Sequence, residues 1–230
     1  MRTARTAFIF SLVYLVLGMA WVFGTHPPGP TDFFIGWFWA VAIAGCFVPG
    51  IANQVSLARA YLAAPALAYS VAPSHLGSLA LVLAIGGLTD LVDGTIARRF
   101  DRPSTLGGGL DPVVDGLFLG AVGVGLGVGG VFPLWLGLVI VARYLVPALA
   151  GAALIAAHRR PELRHTVTGQ ISTSLIIVLL GGICLFRFMN QDAGNVVIGA
   201  EIVIPIATVA TMVHLAWLAR RPAASEPGRG

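Results

Sequence analysis

The chain has 230 residues, 57% of them hydrophobic and only 10% charged, with a mean hydropathy of +0.88. That balance excludes an ordinary soluble globular domain and points to an integral membrane protein. The formal net charge is +4, and all 14 basic residues are Arg. They fall between apolar segments rather than on one soluble face, which argues for a topology signal and against a nucleic-acid partner.

Eight apolar segments follow in chain order, at about 7–24, 33–48, 56–73, 77–97, 108–131, 134–157, 168–187 and 196–218. Most approach the ~20 residues that cross a hydrocarbon core. The first opens behind Arg2 and Arg5 like a signal peptide. No A-x-A site follows and the run is long for a signal, so it reads as a retained helix. The second is short and stops at Pro49-Gly50, and the third, with Asn53, Ser56 and Arg59 near its start, reads as a helix that begins at the interface. Cys46 and Cys184 sit inside apolar runs without framework spacing, and read as packing residues. Gly125, Gly127 and Gly130 spell G-x-G-x-x-G, but within an apolar segment lacking any βαβ context. The four-residue spacings Gly116/Gly120, Gly123/Gly127 and Gly125/Gly129 fit close helix–helix packing instead. The tail from Arg220 onward, RRPAASEPGRG, reads as a disordered cytoplasmic extension.

An even number of spans puts both termini on one side. If that side is the cytoplasm, Arg2, Arg5, Arg59, Arg98, Arg99, Arg102, Arg159, Arg160, Arg164, Arg220, Arg221 and Arg229 are all cytoplasmic, and only Arg187 lies outside. That asymmetry predicts a multi-pass protein of the cell (inner, cytoplasmic) membrane. Arg143 falls within a segment and needs its own account.

Residues 89–115, TDLVDGTIARRFDRPSTLGGGLDPVVD, hold five of the ten acidic residues of the chain. An Asp at the centre of a membrane helix costs ~2.5–3.5 kcal/mol, so such residues are rare and functional by default. Asp90 lies ~12 Å along a helix from Arg98, the expected cytoplasmic end. Asp90 and Asp93 are spaced i, i+3 and Asp111 and Asp115 i, i+4, so each pair shares a helix face. Two antiparallel neighbouring helices would present all four carboxylates to one cavity. Like charges so close repel or protonate unless a cation neutralises them. All-oxygen ligands favour Mg²⁺ or Mn²⁺, and four carboxylates suffice for two ions. Asp101, Arg99 and Arg102 read as caps and helix-end charges.

Residues 90–115 match D-x2-D-G-x2-A-R-x8-G-x3-D-x3-D at Asp90, Asp93, Gly94, Ala97, Arg98, Gly107, Asp111 and Asp115. Upstream, IANQVSLAR keeps Asn53, Ser56 and Arg59 of a P-N-x-(L/I)-T-x-x-R pattern, with Ala52 in place of the proline. On these residues the chain resembles the CDP-alcohol phosphatidyltransferases over about residues 50–219. The resemblance implies an all-α integral membrane enzyme with a six-helix core at 50–219, preceded by two extra hydrophobic helices in 1–49 and followed by the tail at 220–230. It implies transfer of a phosphatidyl group from CDP-diacylglycerol to an alcohol acceptor, with release of CMP, in a homodimer whose site faces the cytoplasm. Carried over position by position, Asp90, Asp93 and Asp111 resemble metal ligands. Asp115 resembles the general base, with a possible metal contact, and Gly94, Ala97, Arg98 and Gly107, with Asp93, Asn53 and Ser56, resemble the CDP-lipid pocket.

LDPVVD resembles the form found in the branch using glycerol 3-phosphate, and in cardiolipin synthases. Gly116 and Gln170 stand where that branch tends to carry Lys, which removes two cations from the expected acceptor site. Arg143, Arg164 and Gln170 are the candidates for acceptor binding here, with an ion pair to a motif aspartate as the competing account of Arg143. Glycerol 3-phosphate is the acceptor expected. Inositol phosphate, inositol, serine and phosphatidylglycerol are the alternatives. A membrane prenyltransferase with paired aspartates and a transporter with an acidic ion site are the competing classes. The G-x2-A-R continuation after Asp93 argues against the first, and the lack of repeat symmetry against the second.

Overall fold

A computed structural model describes residues 2–100, 107–156 and 167–219. Its helices are α1 (Arg2–Thr25), α2 (Thr31–Cys46), α3 (Ile51–Ser70), α4 (Leu76–Phe100), α5 (Gly107–Val128), α6 (Leu134–Ala156), α7 (Val167–Phe188) and α8 (Gly194–Ala219), with a 3-10 turn at Pro73–His75 before α4. No strand occurs among the described residues. Each apolar segment read from the sequence becomes one helix.

Among the described residues, α1, α5, α7 and α8 contain stretches long and apolar enough to cross a membrane, and α2, α4 and α6 contain shorter apolar ones. Phe8, Ile171, Val178, Ile206 and Val213 are each at least 60% exposed. Bulky side chains turned outward in this number fit a hydrocarbon solvent and not water. The protein is a multi-pass membrane protein.

Helix α3 packs on α4 and α5, α4 on α7, α7 on α8, α8 on α6, and α6 back on α5. The helices α3 to α8 thus close a ring, and α1 and α2 dock outside it against α3. Polar bonds fix that docking. Gln54 Nε2 donates to the Gly45 and Val48 carbonyls at the end of α2 (2.8 and 2.7 Å), which ties that end to α3. Trp37 Nε1 donates to Ala60 O (2.9 Å) and Trp21 Nε1 to the Tyr69 hydroxyl (2.7 Å). Gly50, at φ 95°, makes the reversal from α2 into α3, a conformation that favours glycine.

One expectation needs correcting. The third segment does not begin as an interfacial helix. α3 runs unbroken from Ile51 and is buried along most of its length, including Asn53, Gln54, Ser56 and Arg59. Its Ala58, Ala60, Ala63, Ala64, Ala66 and Ala68 let neighbours approach on several sides, so its polar residues end up inside the bundle. The antiparallel α4–α5 pairing expected from their short connection has its acidic end outside the described side chains. α3 lies against both, and α5 reaches α4 through Phe118, whose ring sits where a Gly86 Cβ would be (2.5 Å).

The α5 glycines pack as their spacing predicts. A Cβ on Gly125 would overlap Ser70 Oγ of α3, and one on Gly129 would lie 2.7 Å from Ser70 O. On the α6 side, a Cβ on Gly127 would lie 2.9 Å from Leu134 Cα, and one on Gly137 would fall on the Gly123 carbonyl. Gly137→Ala is therefore expected to destabilise the protein by about 1–3 kcal/mol, because backbone must move to admit the methyl. An unfolding midpoint in detergent equal to wild type would contradict this packing. Cys46 and Cys184 are both free thiols, as read.

Candidate active site

The i, i+4 spacing of Asp111 and Asp115 does what geometry requires: both carboxylates leave α5 on one face and meet Arg59 of α3. Arg59 Nη1 lies 2.9 Å from Asp115 Oδ1, and Nη2 lies 3.8 Å from Asp111 Oδ1. The Arg59 side chain is 1% exposed, against 15% for Asp115 and 27% for Asp111. A guanidinium this deep in a helix bundle requires counter-charge, and the two aspartates supply it. Arg59 is thus an internal cation of the site and not the loop charge that a topology count makes of it. The signal was present in the sequence: Arg59 is the only charged residue of α3, surrounded by alanines that allow it to be enclosed.

The other predicted residues fall as follows. Asn53 is buried and its Nδ2 donates to Pro49 O (2.7 Å), which fastens the start of α3. Ser56 is buried and its hydroxyl donates to Ala52 O (3.2 Å). Asp90, Asp93, Gly94, Ala97 and Arg98 lie on the last turns of α4, and Gly107 begins α5. Their side-chain surroundings lie outside the described residues, as does Arg164 altogether.

Arg143 of α6 is 4% exposed. Its guanidinium donates to Thr211 Oγ1 (3.1 Å) and Ala207 O (3.4 Å) of α8, and to Gly169 O (3.2 Å) of α7. Among the described residues it is Arg59, not Arg143, that pairs with motif aspartates. Arg143 Nε, Ser172 Oγ and Thr208 Oγ1 are buried without a hydrogen-bond partner among the described residues. Arg143 and the Gly169-Gln170 step are thereby brought together, with Gln170 exposed beside them.

Sequence reasoning missed Tyr144. Its hydroxyl shares a hydrogen bond with Thr173 Oγ1 (3.2 Å), and its Cβ would lie 2.8 Å from a Cβ on Gly116. The residue after Asp115 is glycine because Tyr144 occupies the space a side chain would need. No spacing rule reveals this, since the two residues lie on different helices.

Asp111 and Asp115 offer oxygen donors only and already converge on one cationic group. That donor set fits a hard divalent ion. Among the described residues no three His, Cys, Asp or Glu side chains form a metal cluster, and the Asp90 and Asp93 carboxylates are not among those described.

The family model described as CDP-alcohol phosphatidyltransferase matches residues 50–224. Curated relatives include a cardiolipin synthase (CMP-forming) of Streptomyces coelicolor, 37% identical over 44% of this chain and 46% of that one. A probable cardiolipin synthase (CMP-forming) of Drosophila melanogaster is 30% identical over 62% of this chain and 50% of its own. The cardiolipin synthase (CMP-forming) of Homo sapiens is 26% identical over 72% of this chain and 54% of its own. The chain thus spans about half the length of these curated relatives. No solved structure matches it. The match starts at the Gly50 reversal into α3 and takes in the whole closed ring with Arg59, Asp111 and Asp115, and on that ground the chain belongs to the CDP-alcohol phosphatidyltransferase family.

Proposed function

We propose that this protein moves a phosphatidyl group from CDP-diacylglycerol to an alcohol and releases CMP. The observation that carries the reading is the convergence on Arg59 of Asp111 and Asp115, the last two of eight motif positions that all match the family pattern.

Asp115 accepts the proton of the acceptor hydroxyl. The acceptor oxygen forms a bond to the phosphorus that carries the diacylglycerol oxygen. The bond from that phosphorus to the bridging oxygen breaks, and CMP leaves with its electron pair. Arg59, 2.9 Å from Asp115, holds the carboxylate in place before the acceptor arrives. Asp90, Asp93 and Asp111, with Asp115, would hold two Mg²⁺ or Mn²⁺ ions, whose contribution when bound is to neutralise the pyrophosphate and the departing CMP. Gly94, Ala97, Arg98 and Gly107 with Asn53 and Ser56 belong to the CDP pocket in this reading. The arginine asymmetry supports a site facing the cytoplasm of the inner cell membrane, and the family resemblance a homodimer.

The acceptor carries a glycerol hydroxyl near a phosphate. The LDPVVD form supports free glycerol 3-phosphate. The relatives' name supports phosphatidylglycerol instead, since a CMP-forming route to cardiolipin requires that lipid as acceptor. Tyr144 against Gly116 favours the second reading, because it excludes a lysine beside Asp115. In both, the buried Arg143 with the Gly169-Gln170 step faces the acceptor phosphate, joined by Arg164.

Purified protein with CDP-diacylglycerol and Mg²⁺ or Mn²⁺ is expected to release CMP with one of these acceptors. Mass spectrometry of the lipid product distinguishes cardiolipin from phosphatidylglycerophosphate. Inositol phosphate, inositol and serine serve as comparison arms. Turnover of a prenyl diphosphate without CMP release from CDP-diacylglycerol would sink the proposal.

A further inference from the structure

An apolar groove of about 340 Å³ opens between α2, α3, α5 and α6. Its floor is Gly116, Gly120 and Val124 of α5, and one wall is Ala63, Ala64 and Leu67 of α3. Val141 of α6 lies on one side, and Phe33 and Trp37 of α2 close the other. Those two rings stack at 6.4 Å between centroids, and Trp37 is pinned to Ala60 O.

The groove begins where the charges end. On α3, Ala63 and Leu67 continue the i, i+4, i+8 row that starts at Arg59, and so occupy the same helix face. On α5, Gly116 follows Asp115 directly, and Gly116, Gly120 and Val124 run for about 12 Å along the axis. Among the described residues its lining is aliphatic, aromatic and glycine, and the one polar group on it, the Trp37 N–H, is already bonded to Ala60 O. A slot of this kind, rooted at a phosphate-transfer site, suits a hydrocarbon chain whose headgroup sits at the root.

We propose that this groove holds an acyl chain of the donor, CDP-diacylglycerol, and that α2 is a wall of the donor-lipid site. The inference rests on the donor reading above. The choice of donor follows from connectivity. The reacting phosphorus is bonded directly to the diacylglycerol oxygen, so the donor's chains start beside Asp115. In phosphatidylglycerol, a glycerophosphate unit separates the attacking hydroxyl from the diacylglycerol part. α2 lies outside the residues matched by the family model, so the groove gives α2 a task that the core alone does not perform.

Two measurements test this. A CDP-diacylglycerol with a diazirine at the end of one acyl chain, photolysed with the wild-type protein, is expected to label α2, α3 or α5 at the groove, and excess unlabelled donor removes the label. Gly120→Leu fills the slot. A Cβ there meets only Val141 at an ordinary 3.5 Å, so the variant is expected to fold, checked by its unfolding midpoint. It should raise the donor KM about three- to tenfold, the scale of a packing loss inside a membrane, with the acceptor KM as in wild type. Label confined to other helices, together with an unchanged donor KM in a folded variant, overturns the proposal. So does a shift in the acceptor-lipid KM instead of the donor's, or a change of oligomeric state that tracks the substitution. Failure of the underlying reading looks different: wild type itself then releases no CMP from CDP-diacylglycerol.

Discussion

Asp115→Asn is expected to lower CMP release by a factor of about 10²–10⁴, the usual contribution of a positioned general base. Asparagine has nearly the same shape and keeps an oxygen to accept from Arg59, so the α3–α5 contact survives. Binding of the CDP-lipid should stay within a few-fold of wild type, because the amide removes a proton acceptor while the rest of the pocket is left intact. Turnover and equilibrium binding of a labelled CDP-lipid, measured on one preparation, separate the two effects. Near-normal turnover in the variant would remove Asp115 from the role of base.

The second large effect is on stability. Arg59→Met is expected to destabilise the protein by about 3–5 kcal/mol, since it leaves the Asp111 and Asp115 charges without their internal cation. Arg59→Lys keeps the charge but not the planar fork that spans both carboxylates, and should fall between. If Asp111 and Asp115 also receive divalent ions, Mg²⁺ or Mn²⁺ should recover part of the stability lost in Arg59→Met. Unfolding midpoints in detergent with and without the ions give the answer. A midpoint for Arg59→Met equal to that of wild type would show that the ion pair carries no stability.

Much of this was legible in the sequence, for local reasons. Segments such as 134–157 and 168–187 are apolar on average despite single polar residues such as Arg143 and Gln170, and hydropathy alone finds them. Asp111 and Asp115 share a face because a helix repeats every 3.6 residues. What spacing cannot give is which faces meet. Arg59 looked like a cytoplasmic charge because sidedness was counted without knowing that α3 is the enclosed helix. Arg143 had two open roles, an aspartate partner or an acceptor phosphate. The structure shows what holds it in place, Thr211 and two carbonyls on α7 and α8, which lie far away in sequence. Tyr144 escaped because its importance comes from the glycine opposite.

The enclosure of α3 has a consequence for how the protein is made. α3 carries Asn53, Gln54 and Arg59 and is absent from the helices apolar enough to cross a membrane by themselves. An Arg at a helix centre opposes insertion by ~2.5–3.5 kcal/mol, and the counter-charges described for it, Asp111 and Asp115, come with α5, more than 50 residues later in synthesis. α3 therefore depends on its neighbours to settle in the bilayer. Truncations ending before Asp111 should leave it poorly integrated, whereas those extending past Val128 should not. The ion pair at the candidate active site is thus also a checkpoint in biogenesis.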